Sequence, residues 1–518
     1  MRQATEANVL WLNCYNTRAQ QKGWYYMKYL LGVDFGGGST KATLIDTIGN
    51  IVAENVVEYP TYYPSLGWCE QSPEDWNTAF AQNVKGLLEK SRIDAADILA
   101  IAIDSATHTW VMCDENFQPI RPAIHWTDSR SRSQAEFLRE KYGDMIFEKS
   151  FHKPDTIWTL PQILWVREHE PENFAKMRYI FFEKDYIRYE LTGVYCTDYI
   201  EAQGSMLFDC KENKWSSELL EIAGITKEQL PPIVTPTDVI GSVTGDAAVR
   251  CGLKSGTPVI CGTTDTVLEV FASGAVNPGD VTVKLATAGR ICVITDKPYP
   301  NQHLVNYAHV ADGLWYPGTA TKAAASSYRW YRDTFGGDYA QLNVGAEEIP
   351  IGSEGLLYHP YINGELTPYA DPSLCGSFIG VRATHTKAHF TRSVLEGVAL
   401  SLLHSKKTLE EIGITPSSKA TIIGGGAKGE LWRQITADCL GMELKKTTSS
   451  DSSLGAAMLA GVAMGVFANC EEAVAACIKV ESVTTPIREN TEKYRQLFEE
   501  YVAVHDALSP IYQRRLQE

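Results

Sequence analysis

Runs of apolar residues separated by glycine turns predict a strand-rich start to the chain. Residues 30–35 predict a buried strand, the glycines from Gly36 a turn, and residues 41–46 a second strand. Another turn at 49–50 precedes a third apolar stretch from Ile51. Turns of this kind join neighbouring antiparallel strands, so the pattern predicts a hairpin meander.

The pattern then alternates between helices and strands. Residues 72–76 predict a helix start, with Ser72 as the cap and Pro73 in the first turn. Residues 98–104, an unbroken apolar run that ends in Asp104, are typical of a buried parallel strand. Apolar spacing predicts an amphipathic helix over 392–403, and residues 454–463 predict a small-residue helix that packs tightly against a neighbour.

A second strand-rich stretch begins at residues 280–286 and has its own glycine turn at 288–290. Residues 420–426 predict a strand followed by glycines, before a helix from Glu430. Two halves that each open with a strand, a glycine turn and a strand suggest two related domains around a cleft.

Composition narrows the class of protein. The 518 residues are 44% hydrophobic and 21% charged, which is globular composition and is enough for two to four domains. Disorder, collagen and a small disulfide scaffold are excluded. The formal net charge of −16 disfavours non-specific binding to nucleic acid but allows a local phosphate site.

Cysteine usage and hydropathy bear on the compartment. The 12 cysteines form no paired metal-binding motif, so we interpret them as reduced, buried thiols of a cytoplasmic protein. No apolar run approaches the roughly 20 residues that cross a bilayer. Residues 1–26 lack the design of a signal peptide, and Met27 runs directly into the first strand. We predict that residues 1–26 are an extension outside the fold.

The first glycine turn carries candidate phosphate chemistry. Asp34 ends a strand, three glycines follow, and Ser39, Thr40 and Lys41 come next. Backbone N–H groups of such a turn can approach phosphate oxygens, and Asp34 can hold Mg²⁺ directly or through water. The alternative is a plain glycine-rich hairpin with a solvated aspartate. Standard phosphate-loop, zinc-protease, serine-hydrolase and dinucleotide motifs are absent.

Asp265 and a later glycine turn are the other candidates. Asp265 follows a buried strand and opens a helix, where α/β folds place ligands, so it is either a helix cap or a general base. Residues 424–429 lie between a strand and a helix, a placement that suits a nucleotide.

Polar residues also crowd the strand ends at 67–71, 104–108 and 125–130. Their mixture of Trp, His, Gln, Asp and Arg suits a polyhydroxylated ligand, although each His or Trp taken singly is better explained by a structural role.

Here the chain resembles the FGGY carbohydrate kinases, and among them it is most similar to the xylulokinases. The resemblance runs from Met27 to about residue 510 and is most specific between Gly376 and Glu396, where His389 follows Val381 at the family's spacing. Residues 160–168 resemble an earlier family pattern, with Gln162 in place of its usual lysine.

The resemblance implies an α/β, two-domain, actin/hexokinase/Hsp70-like (ribonuclease H-like) fold with an interdomain cleft. Residues 27–276 would form the FGGY N-terminal sugar-binding domain. Residues 277–518 would form the FGGY C-terminal nucleotide-binding domain.

By position, the resemblance implies that Asp265 is the catalytic base and Asp34 the acid near Mg²⁺. The predicted substrate-binding residues are Thr107, His108, Asp265, Thr266, Gln71 and Asp128. The predicted nucleotide-binding residues are Gly36, Ser39, Thr40, Lys41, Thr287, Gly289, Gly424, Gly425, Gly426 and Ala427.

The chain departs from the family pattern at four places, and two of them lie where the substrate would sit. Thr107 stands where xylulokinases usually carry Met, and Thr266 where they usually carry Asn. Residues 286–290 replace the usual second phosphate loop and bring Arg290, and Gly37 and Gly38 replace a Thr and a Ser of the first loop.

The resemblance therefore implies an ATP-dependent sugar kinase that uses Mg²⁺, with D-xylulose as the expected acceptor and D-xylulose 5-phosphate as the product. Ribulose, gluconate and glycerol stay open as acceptors, and the environment of Arg130 and His108 could accept the carboxylate of a sugar acid such as gluconate. A non-catalytic, ATP-binding sugar sensor is the alternative of another class. We expect no nucleic-acid or membrane partner, and a homodimer would be in keeping with the family.

Overall fold

The structure, a computed structural model, describes residues 27–515, so the predicted extension over 1–26 lies outside the described residues. Its strands are β1 Tyr29–Phe35, β2 Ser39–Asp46, β3 Ile51–Glu58, β4 Glu70–Gln71, β5 Ile98–Ser105, β6 Trp110–Cys113, β7 Ala123–Ile124, β8 Tyr179–Phe182, β9 Thr197–Asp198, β10 Phe208–Asp209, β11 Lys214–Trp215, β12 Ile233–Val234, β13 Val239–Ser242, β14 Pro258–Ile260, β15 Val281–Leu285, β16 Gly289–Val293, β17 Leu357–His359, β18 Ser377–Ile379, β19 Lys419–Ile423, β20 Glu443–Thr447 and β21 Val480–Thr484.

The α-helices alternate with these strands along the chain. They are α1 Pro73–Ser91, α2 Arg132–Ser150, α3 Thr159–His169, α4 Pro171–Lys176, α5 Glu183–Thr192, α6 Tyr199–Gly204, α7 Ser217–Ala223, α8 Gly245–Cys251, α9 Asp265–Ala272, α10 Ala325–Phe335, α11 Tyr339–Glu347, α12 Lys387–Glu411, α13 Glu430–Leu440, α14 Ser452–Ala463, α15 Cys470–Cys477 and α16 Arg488–Arg515. Single 3₁₀ turns occur at Ala95–Asp97, Lys227–Gln229, Ser353–Gly355 and Gly425–Lys428.

The chain divides into two compact units. The first unit contains the residues up to Gly274, together with Tyr307–Asp312 and Ser449–Ile478. The second unit contains Ala275–Asn306, Gly313–Thr448 and Lys479–Glu518. Because the chain re-enters the first unit twice, these units are not two contiguous halves, and the predicted domain boundary after residue 276 stays a prediction.

The first unit is built on a six-stranded sheet with the order β13-β14-β5-β1-β2-β3. As predicted, β1 pairs with β2 antiparallel and with β5 parallel. Alternate residues of a strand point to opposite faces, so Leu31 and Val33 of β1 share one face, where they join Trp76 and Phe80 of α1 in the core. Gly32 points to the other face.

Helix α14 covers that other face, although it lies more than 400 residues further along the chain. A side chain at Gly32 would place its Cβ 2.0 Å from the Ser453 carbonyl oxygen, and one at Gly455 would come within 2.3 Å of the Leu268 carbonyl oxygen in α9. Glycine at both contacts lets α14 lie directly against β1 and α9. The predicted tight packing of this small-residue helix is confirmed.

The second unit is built on a five-stranded sheet with the order β16-β15-β19-β20-β21. Strand β15 pairs with β16 antiparallel and with β19 parallel, which repeats the arrangement of β2, β1 and β5. Helix α12 is central to the core of this unit and is longer than the predicted 392–403, because it begins after a capping box between Thr386 and His389.

Two local predictions hold only in part. Ser72 occupies the predicted N-cap position of α1, but its hydroxyl makes no capping bond, and the N–H groups of Asp75 and Trp76 bond to its carbonyl oxygen. None of the described cysteines forms a disulfide, but the prediction that they are buried is wrong for Cys375, which is exposed.

Among the described residues, the structure contains no helix with both the length and the apolar character needed to span a membrane.

Candidate active site

Three acidic residues of the first unit lie where neighbouring strands end. Asp34 is near the end of β1, and Asp104, its register partner, is near the end of β5. Strand β14 pairs with β5 on its other side, and Asp265 opens α9 shortly after β14. The carboxyl ends of parallel strands are the edge of an α/β sheet where ligands bind, so these acids define a candidate site.

Asp34 and Asp104 behave as one proton-sharing pair. Burial raises the pKa of Asp34 to about 7, opposed by its hydrogen bond with Asp104 and assisted by the charge of Asp265. Burial and then the charge of Asp34 raise the pKa of Asp104 well above its usual range. Asp104 is fully buried, so water cannot solvate its charged form. The pair therefore favours holding a proton at neutral pH.

Glu183 adds a third buried carboxyl group to this centre. It is completely buried at the start of α5, and its Oε1 lies 3.5 Å from the Tyr59 hydroxyl. Burial, followed by the charges of Asp34 and Asp265, raises its pKa well above the usual range. Sequence reasoning missed both Glu183 and Asp104, although Asp104 stands at a strand end that it singled out.

The two oxygens of Asp265 have different surroundings. Its Oδ1 accepts hydrogen bonds from the Thr107 hydroxyl at 3.0 Å, the Thr266 backbone N–H at 2.6 Å and the Thr266 hydroxyl at 3.0 Å. Among the described residues, Oδ2 has no protein donor. The structure thus brings together three of the predicted substrate-site residues, and leaves one carboxylate oxygen open.

His108 follows Thr107 with a left-handed backbone, φ 75°. Its ring packs 4.5 Å from Trp158 between ring centroids, and its Nε2 lies 3.0 Å from the Tyr307 hydroxyl. Burial, and then the neighbouring His152, lower its pKa well below the usual range, so the imidazole is neutral. Its Nδ1 is buried without a hydrogen-bond partner among the described residues. No sequence signal pointed to Tyr307, which lies 199 residues away.

Gln71 and Asp128, also predicted for the substrate, are held by the protein itself. The Gln71 amide donates to the Gly37 carbonyl at 3.2 Å and accepts from the Trp76 indole at 3.2 Å. Asp128 accepts the Cys69 backbone N–H at 2.6 Å and forms a bidentate pair with the Arg130 guanidinium. Their contact with a substrate stays a prediction.

The first glycine turn joins β1 to β2 with Gly37 exposed at its tip. The Lys41 ammonium lies 2.7 Å from a Glu54 oxygen and 2.8 Å from an Asp451 oxygen, so two carboxylates already neutralise it. Thr40 is fully buried, and its hydroxyl accepts from Asn83 at 3.3 Å. Gly36 and Ser39 are half-buried and stay predicted phosphate neighbours.

The remaining predicted nucleotide residues form two turns at one edge of the second unit. Strands β15 and β19 are parallel neighbours, and their turns begin at Ala286 and Gly424. Gly424 has φ 91°, and a Cβ there would come within 2.6 Å of the Leu285 carbonyl oxygen, whereas Gly425 has open space beside it. Thr287 is exposed at the tip of its turn. The edge therefore offers exposed backbone where α/β folds bind nucleotides.

In the same turns, several groups already have protein partners. The Gly289 N–H donates to the Thr321 hydroxyl at 3.0 Å, and the Ala427 carbonyl accepts from Arg433 at 2.7 Å. The Ala427 N–H donates to the Gly424 carbonyl.

The fold and these sites define a two-domain α/β protein of the carbohydrate-kinase type. Residues 29–272 match the N-terminal domain of the FGGY family of carbohydrate kinases, and residues 284–464 match its C-terminal domain. The chain belongs to this family. It is a phosphotransferase, and the predicted two-domain fold class is confirmed.

Individual relatives agree with the family. The chain is 34% identical to a xylulose kinase of Bacillus subtilis over 92% of this chain and 97% of that protein. It is 30% identical to a gluconokinase of the same organism over 93% of this chain and 97% of that protein. Among solved structures, a xylulose kinase of Rhodospirillum rubrum superposes with a TM-score of 0.87 at 27% identity, over 94% of this chain and all of that one.

Proposed function

We propose that this FGGY kinase transfers the γ-phosphoryl group of ATP to a terminal hydroxyl of an open-chain sugar, and that D-xylulose is its preferred acceptor. The observation that carries the proposal is the Asp265 carboxylate, held through one oxygen and open at the other, at the carboxyl edge of the first unit's sheet. The names of its relatives support a sugar acceptor, and xylulose kinases are prominent among them.

The electrostatics of the first unit favour an uncharged sugar over a sugar acid. When the Asp34–Asp104 pair holds one proton it keeps one negative charge near Asp265, and that charge would repel an anionic acceptor, whereas protonated Glu183 adds no charge. Arg130 was the cation expected to receive a carboxylate, but its side chain is 1% exposed and is paired with Asp128 and Glu70. His108 is neutral. A ketose such as xylulose meets none of this repulsion, whereas gluconate does.

In the proposed reaction, Oδ2 of Asp265 accepts the proton of the acceptor hydroxyl. The hydroxyl oxygen attacks the γ-phosphorus, the bond between that phosphorus and the β–γ bridging oxygen breaks, and ADP leaves with the bond's electrons. The sugar phosphate keeps the new P–O bond, and the proton stays on Asp265 until solvent removes it.

The residues at the sheet edge suit Mg²⁺, which the family implies. Mg²⁺ prefers oxygen ligands and is commonly held by one or two carboxylates together with substrate phosphates. Asp34, with Asp104 beside it, offers carboxylate oxygens of that kind. No cluster of three or more metal-ligating side chains occurs within residues 27–515, which fits a cation completed by water and phosphate. When bound, Mg²⁺ would neutralise charge on the phosphates.

For ATP we propose the turns already described. The adenosine side would lie at Gly424, Gly425, Gly426 and Ala427, and phosphate oxygens would meet the turns at Thr287–Gly289 and Gly36–Lys41.

Free thiols and the absence of a spanning helix among the described residues support a cytoplasmic site of action.

Asp265→Asn tests the base directly. The amide cannot accept the proton, so we expect kcat to fall by about a hundredfold to ten-thousandfold, while the Kd for ATP changes by less than about twofold. Coupled ADP release gives kcat, and calorimetric titration gives the Kd. Asp144→Asn, the same change at an exposed site on α2, should leave both values unaltered. Near-normal turnover of Asp265→Asn would refute the assignment.

A panel of acceptors tests the substrate. We expect kcat/KM to be highest for D-xylulose among D-xylulose, D-ribulose, glycerol and D-gluconate, measured at one MgATP concentration. A clear preference for D-gluconate would contradict the electrostatic argument but leave the kinase chemistry intact. Absence of turnover with every acceptor, with ATP still bound, would favour a sensor.

A further inference from the structure

The hydroxyl groups of Thr107 and Thr266 face the same oxygen of Asp265. Thr107 lies in the turn after β5, and Thr266 in the first turn of α9, so Asp265 is held from two separate elements. Together with the Thr266 backbone N–H they give Oδ1 three donors within 3.0 Å.

Counting protons limits what the two threonines can do. Each hydroxyl carries one proton, and each lies 3.0 Å from Oδ1 of Asp265, within donating distance. The two hydroxyl oxygens also lie 3.4 Å apart, a longer contact in which either could be the donor, so donation to the carboxylate is the shorter bond for both. Neither threonine can donate a hydrogen bond to a sugar while it holds the carboxylate.

We propose that Thr107 and Thr266 are positioning residues, which fix the orientation of the Asp265 carboxylate so that Oδ2 is presented to the acceptor hydroxyl. This inference rests on the proposed role of Asp265 as the base. It reassigns two residues predicted to bind the substrate: they act on the reaction through Asp265. Holding a reacting group in one geometry removes the cost of orienting it during each turnover.

The surroundings explain why Asp265 needs this support. After burial, the charge of Asp265 is among the causes that raise the pKa values of Asp34 on β1, Asp104 on β5 and Glu183 on α5, so Asp265 lies within electrostatic reach of three carboxyl groups. Three donors to Oδ1 hold the Asp265 side chain in one orientation within this acidic neighbourhood.

Packing holds Thr107 in place. Its side chain is 8% exposed, and a Cβ at Gly204 of α6 would lie 3.1 Å from the Thr107 methyl group and 2.2 Å from Nδ1 of His108. The threonine therefore has little freedom to turn its hydroxyl away from Asp265.

The test compares Thr107→Val, which keeps the shape and removes the hydroxyl, with Thr107→Ser, which keeps the hydroxyl. For Thr107→Val we expect kcat to fall about tenfold, with the sugar KM changed less than about twofold. Thr107→Ser should restore kcat to within about twofold of the wild type.

The matched control is Thr264→Val. The Thr264 hydroxyl is buried one residue before Asp265 and has no hydrogen-bond partner among the described residues, so its loss should change neither kcat nor the sugar KM. Thr266→Val removes the second hydroxyl, which lies in the half-buried first turn of α9, and is tested in the same way. It replaces Thr107→Val as the deciding variant if Thr107→Val melts at a lower temperature than the wild type.

Three outcomes are decisive. A Thr107→Val enzyme with a raised sugar KM and unchanged kcat would show that the hydroxyl binds the sugar, and would overturn the inference. An unchanged kcat in both valine variants would overturn it as well. A wild-type protein that phosphorylates no acceptor would refute the proposed function, and this inference with it. An active wild type whose valine variants are unaffected would refute only this inference.

Discussion

The fully buried carboxyl group of Glu183 shows how single residues set the chemistry of the site. Burial makes the charged form unfavourable, and the neighbouring acids Asp34 and Asp265 add repulsion. In the folded protein Glu183 therefore keeps its proton at a pH where the unfolded chain has lost it.

The consequence is a stability that depends on pH. Above the unfolded pKa of about 4.5, the unfolded chain releases the Glu183 proton while the folded protein retains it, so wild-type stability falls as pH rises. Glu183→Gln removes this dependence because the amide carries no charge at any pH. We compare the free energy of unfolding of the variant with that of the wild type at each pH. We expect the difference, variant minus wild type, to increase by about 1 kcal/mol for each pH unit between pH 5 and 7.

Denaturant unfolding at pH 5, 6 and 7 measures this difference. Glu140→Gln makes the same substitution at an exposed position of α2 and should show a difference that does not vary with pH. A constant difference for Glu183→Gln would mean that Glu183 is ionised in the folded protein at pH 7.

At the residue scale, sequence reasoning found Asp34, Asp265, Thr107 and His108, because each follows an apolar strand or stands in a family motif. It missed the support around them. Tyr307 reaches His108 from 199 residues away, and nothing in the local pattern of either segment records that contact.

At the scale of elements, helix α14 packs against both elements that carry the acidic residues, β1 with Asp34 and α9 with Asp265. It lies against β1 at Gly32 and against α9 at Gly455, and these contacts place Asp34 and Asp265 on elements that share one packed helix. A change in the distance between α14 and β1 would therefore shift one carboxylate relative to the other.

Gly32→Ala tests this packing. Its Cβ would meet the Ser453 carbonyl oxygen at 2.0 Å and the Ala457 backbone nitrogen at 2.4 Å, and backbone atoms cannot turn away as a flexible side chain can. We expect a loss of about 3 kcal/mol in the free energy of unfolding, together with reduced kcat.

Gly143→Ala is the control for this prediction. Gly143 lies within α2, and a Cβ added there would meet nothing within 4 Å beyond the backbone of its own helix, so alanine should stabilise the helix by about 1 kcal/mol. Denaturant unfolding compares the two variants. A Gly32→Ala protein as stable as the wild type would show that α14 does not press on β1.

At the scale of the whole molecule, the first unit is assembled from distant parts of the chain. Its sheet comes from residues before Gly274, but α14 and α15 come from Ser449–Ile478. A fragment that ends at Gly274 would leave the α14-facing side of β1 and β5 uncovered, including the fully buried Leu30. Exposed apolar surface of that kind promotes aggregation rather than folding.

We therefore expect residues 27–274 alone to lack a cooperative thermal transition. The same fragment joined through a flexible Gly/Ser linker to residues 449–478 should regain one. Circular dichroism followed during heating compares the two proteins with the full chain. Cooperative melting of the shorter fragment near the melting temperature of the full chain would show that the sheet folds without α14.

The sequence by itself determined much of the architecture: the strand and glycine-turn units that open each half, the parallel strand over 98–104, the family motif from Gly376 to Glu396 and the acids Asp34 and Asp265. These are local signals, because periodicity, turn residues and motif spacing are written within short stretches.

Only the tertiary structure decided how those acids are partnered. The Thr107 hydroxyl meets Asp265 across 158 residues, and Lys41 meets Asp451 across 410. Burial and the charge of Asp34 raise the pKa of Asp104, and the two carboxyl groups meet only because β5 runs next to β1 in that register. Contacts of this kind depend on strand register and on the packing of distant segments, and the local pattern of residues contains neither.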